Sequence, residues 1–204
     1  MKTLQLELKD IDSAAAILHR GELVAFPTDT VYGLGVRYDL PRSIDRLRSV
    51  KQRPEEKPFA LMVSSLSMIE GLADLSERDL KLISFCFPGD VTLIFRKKKN
   101  ITSGYFEQAE TIAFRMPKDT FVLDLISKIN IPLLVPSANI SGLKPCTTSD
   151  DVLKQFEGLI EAVVVGQSKQ NEASTIIDAS QSELSVVRQG RIQLDSILKA
   201  LEED

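Results

Sequence analysis

Short apolar runs of strand length alternate along this chain with segments whose apolar residues recur at helical spacing. Such alternation is typical of a layered α/β fold. The strand-like runs become more frequent late in the chain and their connections are short, so we expect a mixed sheet that is only partly parallel. The pattern predicts strands at 3–8, 23–26, 59–63, 91–95, 111–115, 132–135, 162–165, 175–177 and 184–187.

Helices are predicted between these strands. The first follows an N-cap at Asp12 or Ser13 and ends at Gly21, because glycine readily adopts the left-handed backbone found at helix C-termini. The other predicted helices are two within 66–87, one each near 120–129 and 149–157, and a terminal amphipathic one with Leu194, Ile197, Leu198 and Leu201.

A lysine continues the apolar face of a further predicted helix. Leu40, Ile44 and Leu47 follow the i, i+4, i+7 spacing of a face that packs on a core, and Lys51 lies on the same stripe. This register predicts that the Lys51 side chain points into the protein.

The residues after Lys51 carry two further cations. Pro54 is predicted to end the helix and to hold Arg53 in an extended conformation, so that Lys51, Arg53 and Lys57 can converge. Together they would bind one anion. The alternative is a solvated charged face, which is the usual role of a charge run.

The composition indicates one globular domain with a sizeable core, because 43% of the 204 residues are hydrophobic and 26% are charged. A formal net charge of −4 argues against a protein whose whole surface binds nucleic acid, but it leaves room for a local basic cleft. The low cysteine content and a start without a signal-like apolar run predict a cytoplasmic protein, and no stretch reaches membrane-spanning length.

Two segments after predicted strands are candidates for ligand contacts. Ser137 and Asn139 lie on one face after the strand that ends at Val135, and a hydroxyl beside a carboxamide suits nucleotide phosphate or ribose; the alternative is an ordinary turn. Gly33 and Gly35 would let backbone amides approach a bound group; the alternative is a bulge or tight turn.

Two arginines close predicted strands late in the chain. Arg115 ends one strand and Arg188 ends another, and arginine at such a position can bind a carboxylate or phosphate in bidentate geometry. Ser174 opens the intervening strand and could line the same crevice. The alternative is that the arginines are rim charges and that the serine is structural.

Several chemistries are excluded or disfavoured. His19 is the only histidine and lies on a predicted surface helix, which argues against catalysis by a Ser-His-Asp or Cys-His group. Cysteine and histidine are not clustered, so no metal site is predicted. The remaining hydroxyls, amides and cations suit the positioning of anions, as nucleotidyl transfer requires.

Five motifs, in this order, resemble those of the YrdC/YciO family, whose best-known activity is threonylcarbamoyl-adenylate synthase. The resemblance extends from about residue 23 to 188, nearly the whole chain, and it implies a single YrdC-like domain over 1–204 of the short form. The motifs are PTDTVYGLG at 27–35, KQRP at 51–54 with KP at 57–58, FPG at 87–89 followed by Thr92, RMP at 115–117 and PSAN at 136–139.

The resemblance implies an α/β fold with a twisted mixed β-sheet, curved around a positively lined cavity and flanked by helices. It implies the synthesis of L-threonylcarbamoyl-adenylate from L-threonine, bicarbonate or CO2, and ATP, with release of pyrophosphate. Magnesium would be carried mainly by the triphosphate. Partner proteins of a tRNA threonylcarbamoyl-transfer complex would then modify the adenosine next to the anticodon.

Site residues follow from the motif positions. Lys51 and Arg53 would be catalytic, and Lys57 could serve either anion. The implied ATP-binding residues are Lys51, Arg53, Ser137, Asn139, Thr147 and Arg188, and the implied threonine-binding residues are Thr28, Lys57, Arg115 and Ser174.

Four departures from the family pattern bear on threonine specificity. Met62 stands where many members have His, Asp90 where Pro is common, Ala173 where Glu is usual, and Gln189 where Arg-Pro-Gly is usual. A second hypothesis is therefore a non-catalytic paralogue that binds double-stranded RNA or tRNA, which the basic run at 96–99 favours and the net charge disfavours.

Overall fold

The computed structural model describes residues 2–54, 58–102, 104–168 and 173–202. Within these ranges, ten strands and seven helices alternate along the chain. The strands are β1 (Leu4–Leu6), β2 (Val24–Phe26), β3 (Gly33–Arg37), β4 (Leu61–Met62), β5 (Val91–Arg96), β6 (Thr111–Arg115), β7 (Leu133–Leu134), β8 (Ala162–Val164), β9 (Thr175–Asp178) and β10 (Ser185–Arg188). The helices are α1 (Ile11–His19), α2 (Pro41–Lys51), α3 (Leu66–Glu70), α4 (Glu77–Cys86), α5 (Thr120–Ile129), α6 (Ser149–Phe156) and α7 (Leu194–Glu202).

All ten strands belong to one sheet, in the order β1-β8-β2-β3-β7-β4-β6-β5-β9-β10. Four neighbouring pairs are parallel, namely β1 with β8, β2 with β8, β4 with β6 and β5 with β9. The other five pairs are antiparallel. The predicted α/β fold with a mixed, partly parallel sheet is confirmed. None of the described helices is both long and apolar enough to span a bilayer.

Strand β3 was not predicted, because its first three residues are Gly33, Leu34 and Gly35 and glycine is unusual inside a strand. A Cβ on Gly33 would lie 2.4 Å from Cγ1 of Val135, and one on Gly35 would lie 2.7 Å from the Phe26 ring. The two glycines thus let neighbouring side chains pack directly on the strand. The alternative of a bulge or tight turn at Gly33 and Gly35 is wrong, because both lie inside β3.

Two helix ends differ from the prediction. Asp10 is the residue that precedes helix α1, so neither Asp12 nor Ser13 is its N-cap. Helix α2 is followed by Gln52, whose left-handed backbone (φ 50°) already ends the helix before Pro54 is reached. The chain therefore turns directly after Lys51.

Side chains on the two faces of the sheet form two separate cores. One core contains buried residues of β4, β5, β6 and β9 and of helices α2, α3, α4, α6 and α7. The other contains residues of β1, β2, β7 and β8 and of helices α1 and α5. The second core ends near β4. On that side of the sheet, it therefore does not cover β6, β5 and β9.

Strand alternation decides what lies on that remaining face. Phe114, Leu93 and Ile177 point into the first core, so Arg115, Thr92 and Ser174 lie on the opposite side of the sheet. We call this surface of β6, β5 and β9 the polar face. The same face also carries Ile94, Ala113 and Ile176, which are half-buried.

Enlarging Gly33 should destabilise the fold. Gly33→Ala places a methyl group against Val135, and overpacking of this kind costs about 1–3 kcal/mol. Urea unfolding followed by circular dichroism would measure it, with Gly71→Ala as the control because that Cβ would lie no closer than 3.4 Å to its neighbours. Adding Val135→Ala should make the double variant less destabilised than the sum of the single ones; strict additivity would contradict the packing argument.

Candidate active site

Lys51 is the last residue of helix α2, and its side chain is buried with 1% exposure. Its Nζ atom donates to the backbone oxygen of Ser137 at 2.5 Å and to that of Asn139 at 2.6 Å. The inward direction of Lys51 is therefore confirmed, and two motifs that are 86 residues apart in sequence meet at this ammonium.

The segment after β7 is organised by its own polar side chains. Ser137 Oγ donates to Asn139 Oδ1 at 2.6 Å, and the Asn139 amide donates to the backbone oxygens of Ile140 and Leu143, both at 2.9 Å. The carboxamide thus bonds local backbone, as expected for a turn, and fixes the position of the serine hydroxyl. Both predicted residues lie together with Lys51.

Burial lowers the pKa of Lys51 from its usual value to about 7, and the nearby charge of Arg53 acts in the same direction. The two carbonyl oxygens that it contacts favour the ammonium form and oppose this effect. Lys51 can therefore change its protonation near neutral pH when another charge arrives.

Arg53 lies directly after helix α2 and is partly buried. Its guanidinium carbon is 4.8 Å from the centroid of the Phe59 ring, and Nη2 donates to the Pro58 oxygen at 2.9 Å. Burial lowers the pKa of Arg53. The guanidinium is thus held by an aromatic ring and by the backbone that leads into β4.

Arg48 supports the same segment from helix α2. Its Nη1 donates to the Pro54 oxygen at 2.9 Å, and its guanidinium carbon is 4.9 Å from the centroid of the Phe59 ring. Lys57, which was predicted to join the site, lies outside the described residues. A surface hollow of about 580 Å³ adjoins this segment and is lined by Asp45, Arg48, Ser49, Gln52, Arg53 and Pro54.

Arg115 ends strand β6 on the polar face and has 7% exposure. Its Nη2 donates to Asp29 Oδ1 at 2.7 Å, and its Nη1 donates to Thr30 Oγ1 at 2.9 Å. The other carboxylate oxygen of Asp29 accepts from the Lys118 backbone N–H at 2.8 Å. Within the described part of the chain, the buried Nε of Arg115 has no hydrogen-bond partner.

Asp29 and Thr30 were missed as site residues. Burial raises the pKa of Asp29, while the charge of Arg115 opposes this effect. Both residues belong to the PTDTVYGLG motif, so the signal that could have found them was a carboxylate and a hydroxyl next to Thr28, which the resemblance already assigned to the site.

Thr28 connects the arginine to the lysine group. Its Oγ1 donates to the Val31 oxygen at 2.8 Å and lies 3.2 Å from Thr30 Oγ1. Its methyl carbon is 3.5 Å from the position that a Cβ on Gly33 would occupy, and Gly33 forms a β-bridge with Ser137. Thr28, which was implied for threonine, therefore lies close to Ser137, which was implied for ATP.

Ser174 lies on the polar face, with its Oγ 2.8 Å from Thr92 Oγ1. Arg188 donates to the Ser174 backbone oxygen through Nη2 at 2.8 Å and through Nε at 3.1 Å. Burial, and secondly the charge of Arg115, lower the pKa of Arg188. Arg188 was predicted in the ATP group, but it lies against Ser174 of the threonine group.

Thr147 is half-buried and reaches the same region through its backbone. Its carbonyl oxygen accepts a hydrogen bond from the Ser168 N–H at 2.9 Å. The hydroxyl oxygen of Ser168 in turn accepts one from the Thr28 backbone N–H at 3.4 Å. The residue is thus linked to Thr28 through one intermediate serine.

The four sequence departures occupy different environments. Met62 packs in the second core with 4% exposure. Gln189 is exposed, and its side-chain amide donates to the backbone oxygens of Gly190 and Ile192. The backbone oxygen of Ala173 lies close to Gly190, where an added Cβ would come within 2.5 Å of it. Asp90 is the departure beside the arginine, with Oδ1 3.9 Å from Arg115 Nη2.

Two cations of the basic run at 96–99 make contacts within the protein. The Lys97 ammonium donates to the backbone oxygens of Ile101, Phe106 and Glu107 at 2.8–2.9 Å, and Arg96 Nε donates to the Ser180 oxygen at 2.7 Å. These two cations hold the connection between β5 and β6 and the segment after β9. This arrangement weakens the argument for an RNA surface at this run.

Comparisons with known proteins identify the family of this chain. Residues 16–190 match the Sua5_yciO_yrdC family, described as "Telomere recombination". The chain is 33% identical over 201 residues to a protein of Pyrococcus abyssi named threonylcarbamoyl-AMP synthase, covering 98% of this chain and 59% of that protein. It therefore spans less than two thirds of this relative's length.

Solved structures show the same fold. P. abyssi Sua5 complexed with L-threonine superimposes with a TM-score of 0.90 at 32% identity, covering 98% of this chain and 61% of that one. Escherichia coli YciO superimposes with a TM-score of 0.83 at 21% identity, covering 96% and 98%. On the family match over most of its length, this chain belongs to the Sua5/YciO/YrdC family.

Proposed function

We propose that this protein catalyses ATP-dependent synthesis of L-threonylcarbamoyl-adenylate from L-threonine, bicarbonate or CO2, and ATP. The observation that carries the proposal is the meeting of Lys51 with Ser137 and Asn139, next to the Thr28 and Arg115 group. A relative of 33% identity is named for this product, and a structural relative was solved with L-threonine.

The lysine side would bind ATP. Lys51 donates to two backbone oxygens, which carry no net charge, so its positive charge would compensate phosphate oxygens at the α-phosphorus and on the departing pyrophosphate. Arg53, two residues further along the chain, would bring a second cation to the same side. Ser137, which Asn139 orients, would add a hydrogen bond to the nucleotide, and Thr147 would lie at its edge.

The polar face would bind L-threonine. Arg115 Nε is a buried donor, and Thr28, Thr92 and Ser174 present hydroxyl groups nearby. A guanidinium suits the α-carboxylate of the amino acid, and hydroxyl groups suit its side chain. In this proposal Arg188 supports Ser174 and contributes positive charge between the two substrates.

The chemistry requires little acid–base catalysis by the protein. The threonine amine adds to CO2 to give a carbamate and a proton, and a carbamate oxygen then attacks the α-phosphorus as the bond to the pyrophosphate oxygen breaks. The product is a mixed anhydride. Magnesium would enter on the triphosphate, because Mg²⁺ prefers phosphate oxygens and water. Partner proteins would consume the anhydride by transferring the threonylcarbamoyl group to tRNA.

Pyrophosphate release with single omissions tests this proposal. The protein should release pyrophosphate only when L-threonine, bicarbonate and ATP are all present. Release from ATP alone, or the lack of release with all three, would contradict it. Salt-dependent binding of double-stranded RNA without turnover would instead favour the RNA-binding paralogue.

Removing either cation of the lysine side should abolish most turnover. Lys51→Met keeps the buried volume but loses the charge and both hydrogen bonds, and Arg53→Ala loses the second cation. We expect pyrophosphate release to fall by about 100-fold or more, as for loss of a transition-state charge contact. Lys154→Met is the control because that lysine is 74% exposed. Near-normal release by both site variants would refute the assignment.

ATP binding should be accompanied by proton uptake. Because the pKa of Lys51 is about 7, most of this side chain is neutral at pH 8, and nearby phosphates would raise its pKa again. Titration calorimetry at pH 8 should therefore give a less exothermic heat in Tris than in HEPES, since Tris releases its proton more endothermically. The difference should disappear in Lys51→Met; equal heats for the unaltered protein would argue against Lys51 as a phosphate contact.

A further inference from the structure

Gln155, on helix α6, contacts the segment that holds Lys51, and the proposed synthesis has so far given it no role. It is half-buried and follows Val152, a residue of the first core, by three positions, so it lies on the inner side of the helix. Its Oε1 accepts from the Ile140 N–H at 2.9 Å, and its Nε2 donates to Cys146 Sγ at 3.2 Å. Both ends of the carboxamide are therefore used.

These two partners fix which way the carboxamide points. The Ile140 N–H can only donate, so it must face the oxygen of Gln155, and the amino group is left to face the sulfur. Cys146 is tied to the same segment, because its own N–H donates to the Ala138 oxygen at 3.0 Å. Gln155 thus holds the residues around Asn139 from two sides.

The peptide group between Asn139 and Ile140 connects Gln155 to Lys51. The Asn139 oxygen accepts from Lys51 Nζ at 2.6 Å, and the Ile140 N–H of the same peptide group donates to Gln155. A trans peptide group is planar, so its C=O and N–H bonds point in opposite, fixed directions. Holding the N–H therefore also directs the carbonyl oxygen at the ammonium.

The same chain of contacts strengthens the carbonyl oxygen as an acceptor. Hydrogen bonds in series polarise one another, so the bond from the Ile140 N–H to Gln155 increases the negative partial charge that the Asn139 oxygen presents to Lys51. A buried ammonium depends on such dipoles, because water does not reach it. Gln155 can therefore stabilise the charged form of Lys51 without carrying a charge itself.

The charges that act on Lys51 come from two other side chains in the described part of the protein. Arg53 lowers the pKa of Lys51, and a thiolate at Cys146 would raise it. Burial raises the pKa of Cys146 to about 11, so this thiol is neutral at pH 8 and adds no charge there. Near neutral pH, the hydrogen-bonded dipoles are thus what favours the ammonium.

We propose that Gln155 is a positioning residue of the ATP subsite, which directs the Asn139 carbonyl oxygen at the Lys51 ammonium and thereby holds that charge where phosphate would bind. This inference rests on the proposed function and adds to it a residue that acts through Lys51. Removing the carboxamide would leave the Ile140 N–H without its partner and the carbonyl oxygen less well aligned. The ammonium form of Lys51 would then be less favoured, so its pKa would fall.

The first test measures the pKa of Lys51 by NMR of protein that carries lysine labelled with 13C at Cε, with the Lys51 signal identified by its loss in Lys51→Met. Gln155→Met keeps the length of the side chain but removes both contacts, and it should lower this pKa. Gln155→Glu keeps an acceptor for the Ile140 N–H and adds negative charge, and it should raise the pKa. Lys154→Met, on the neighbouring exposed position of α6, should leave it unchanged.

The second test measures the binding of ATP and of L-threonine by titration calorimetry. If the pKa of Lys51 falls from about 7 to about 6 in Gln155→Met, ATP affinity should fall about 10-fold at pH 8, where the ammonium must form on binding. The loss should be much smaller at pH 5.5, where the ammonium is already present in both proteins. L-threonine affinity should be unchanged at either pH.

Each outcome separates this inference from the proposed function. An unchanged Lys51 pKa in Gln155→Met, shifts in the same direction in both Gln155 variants, or a parallel loss of both ligands would contradict the positioning role. If Gln155→Met does not fold, a pKa that is not raised in Gln155→Glu overturns the role by itself. If pKa and ATP affinity change as expected but the unaltered protein releases no pyrophosphate, the proposed synthesis fails and the positioning role stands. If the unaltered protein binds no ATP, both are overturned.

Discussion

The architecture of the site depends on one buried charge, the ammonium of Lys51. A cation with 1% exposure must be compensated by oriented dipoles or by an opposite charge, and the carbonyl oxygens of Ser137 and Asn139 provide the dipoles. This requirement ties the end of helix α2 to the segment after β7. The mutual positions of Lys51, Ser137 and Asn139 follow from that connection.

The cations of the two groups have different surroundings. Lys51 and Arg188 donate to backbone oxygens, which are neutral, so these contacts do not cancel their positive charge. Arg115 instead lies between the carboxylates Asp29 and Asp90. The surroundings of Lys51 therefore suit an anion, whereas those of Arg115 already contain negative charge.

The sheet brings these two environments together because its two faces are covered differently. Helices α1 and α5 pack on β1, β8, β2 and β7, and their core extends only as far as Met62 of β4. Beyond it, Arg115 of β6, Thr92 of β5 and Ser174, which precedes β9, lie on the same face. Glycine at position 33 then allows Thr28, Val135 and Ser137 to meet where the regions adjoin.

The sequence by itself determined the fold class, most of the strands and helices, and the inward direction of Lys51, because hydrophobic periodicity records which face of each element is buried. It did not determine β3, since strand propensity does not register that Val135 and Phe26 occupy the space above Gly33 and Gly35. Nor did it determine that Arg115 is paired with Asp29, or that Arg188 lies on Ser174. Those pairings join residues far apart in the chain, and only the order and register of the ten strands decide which of them come within hydrogen-bonding distance.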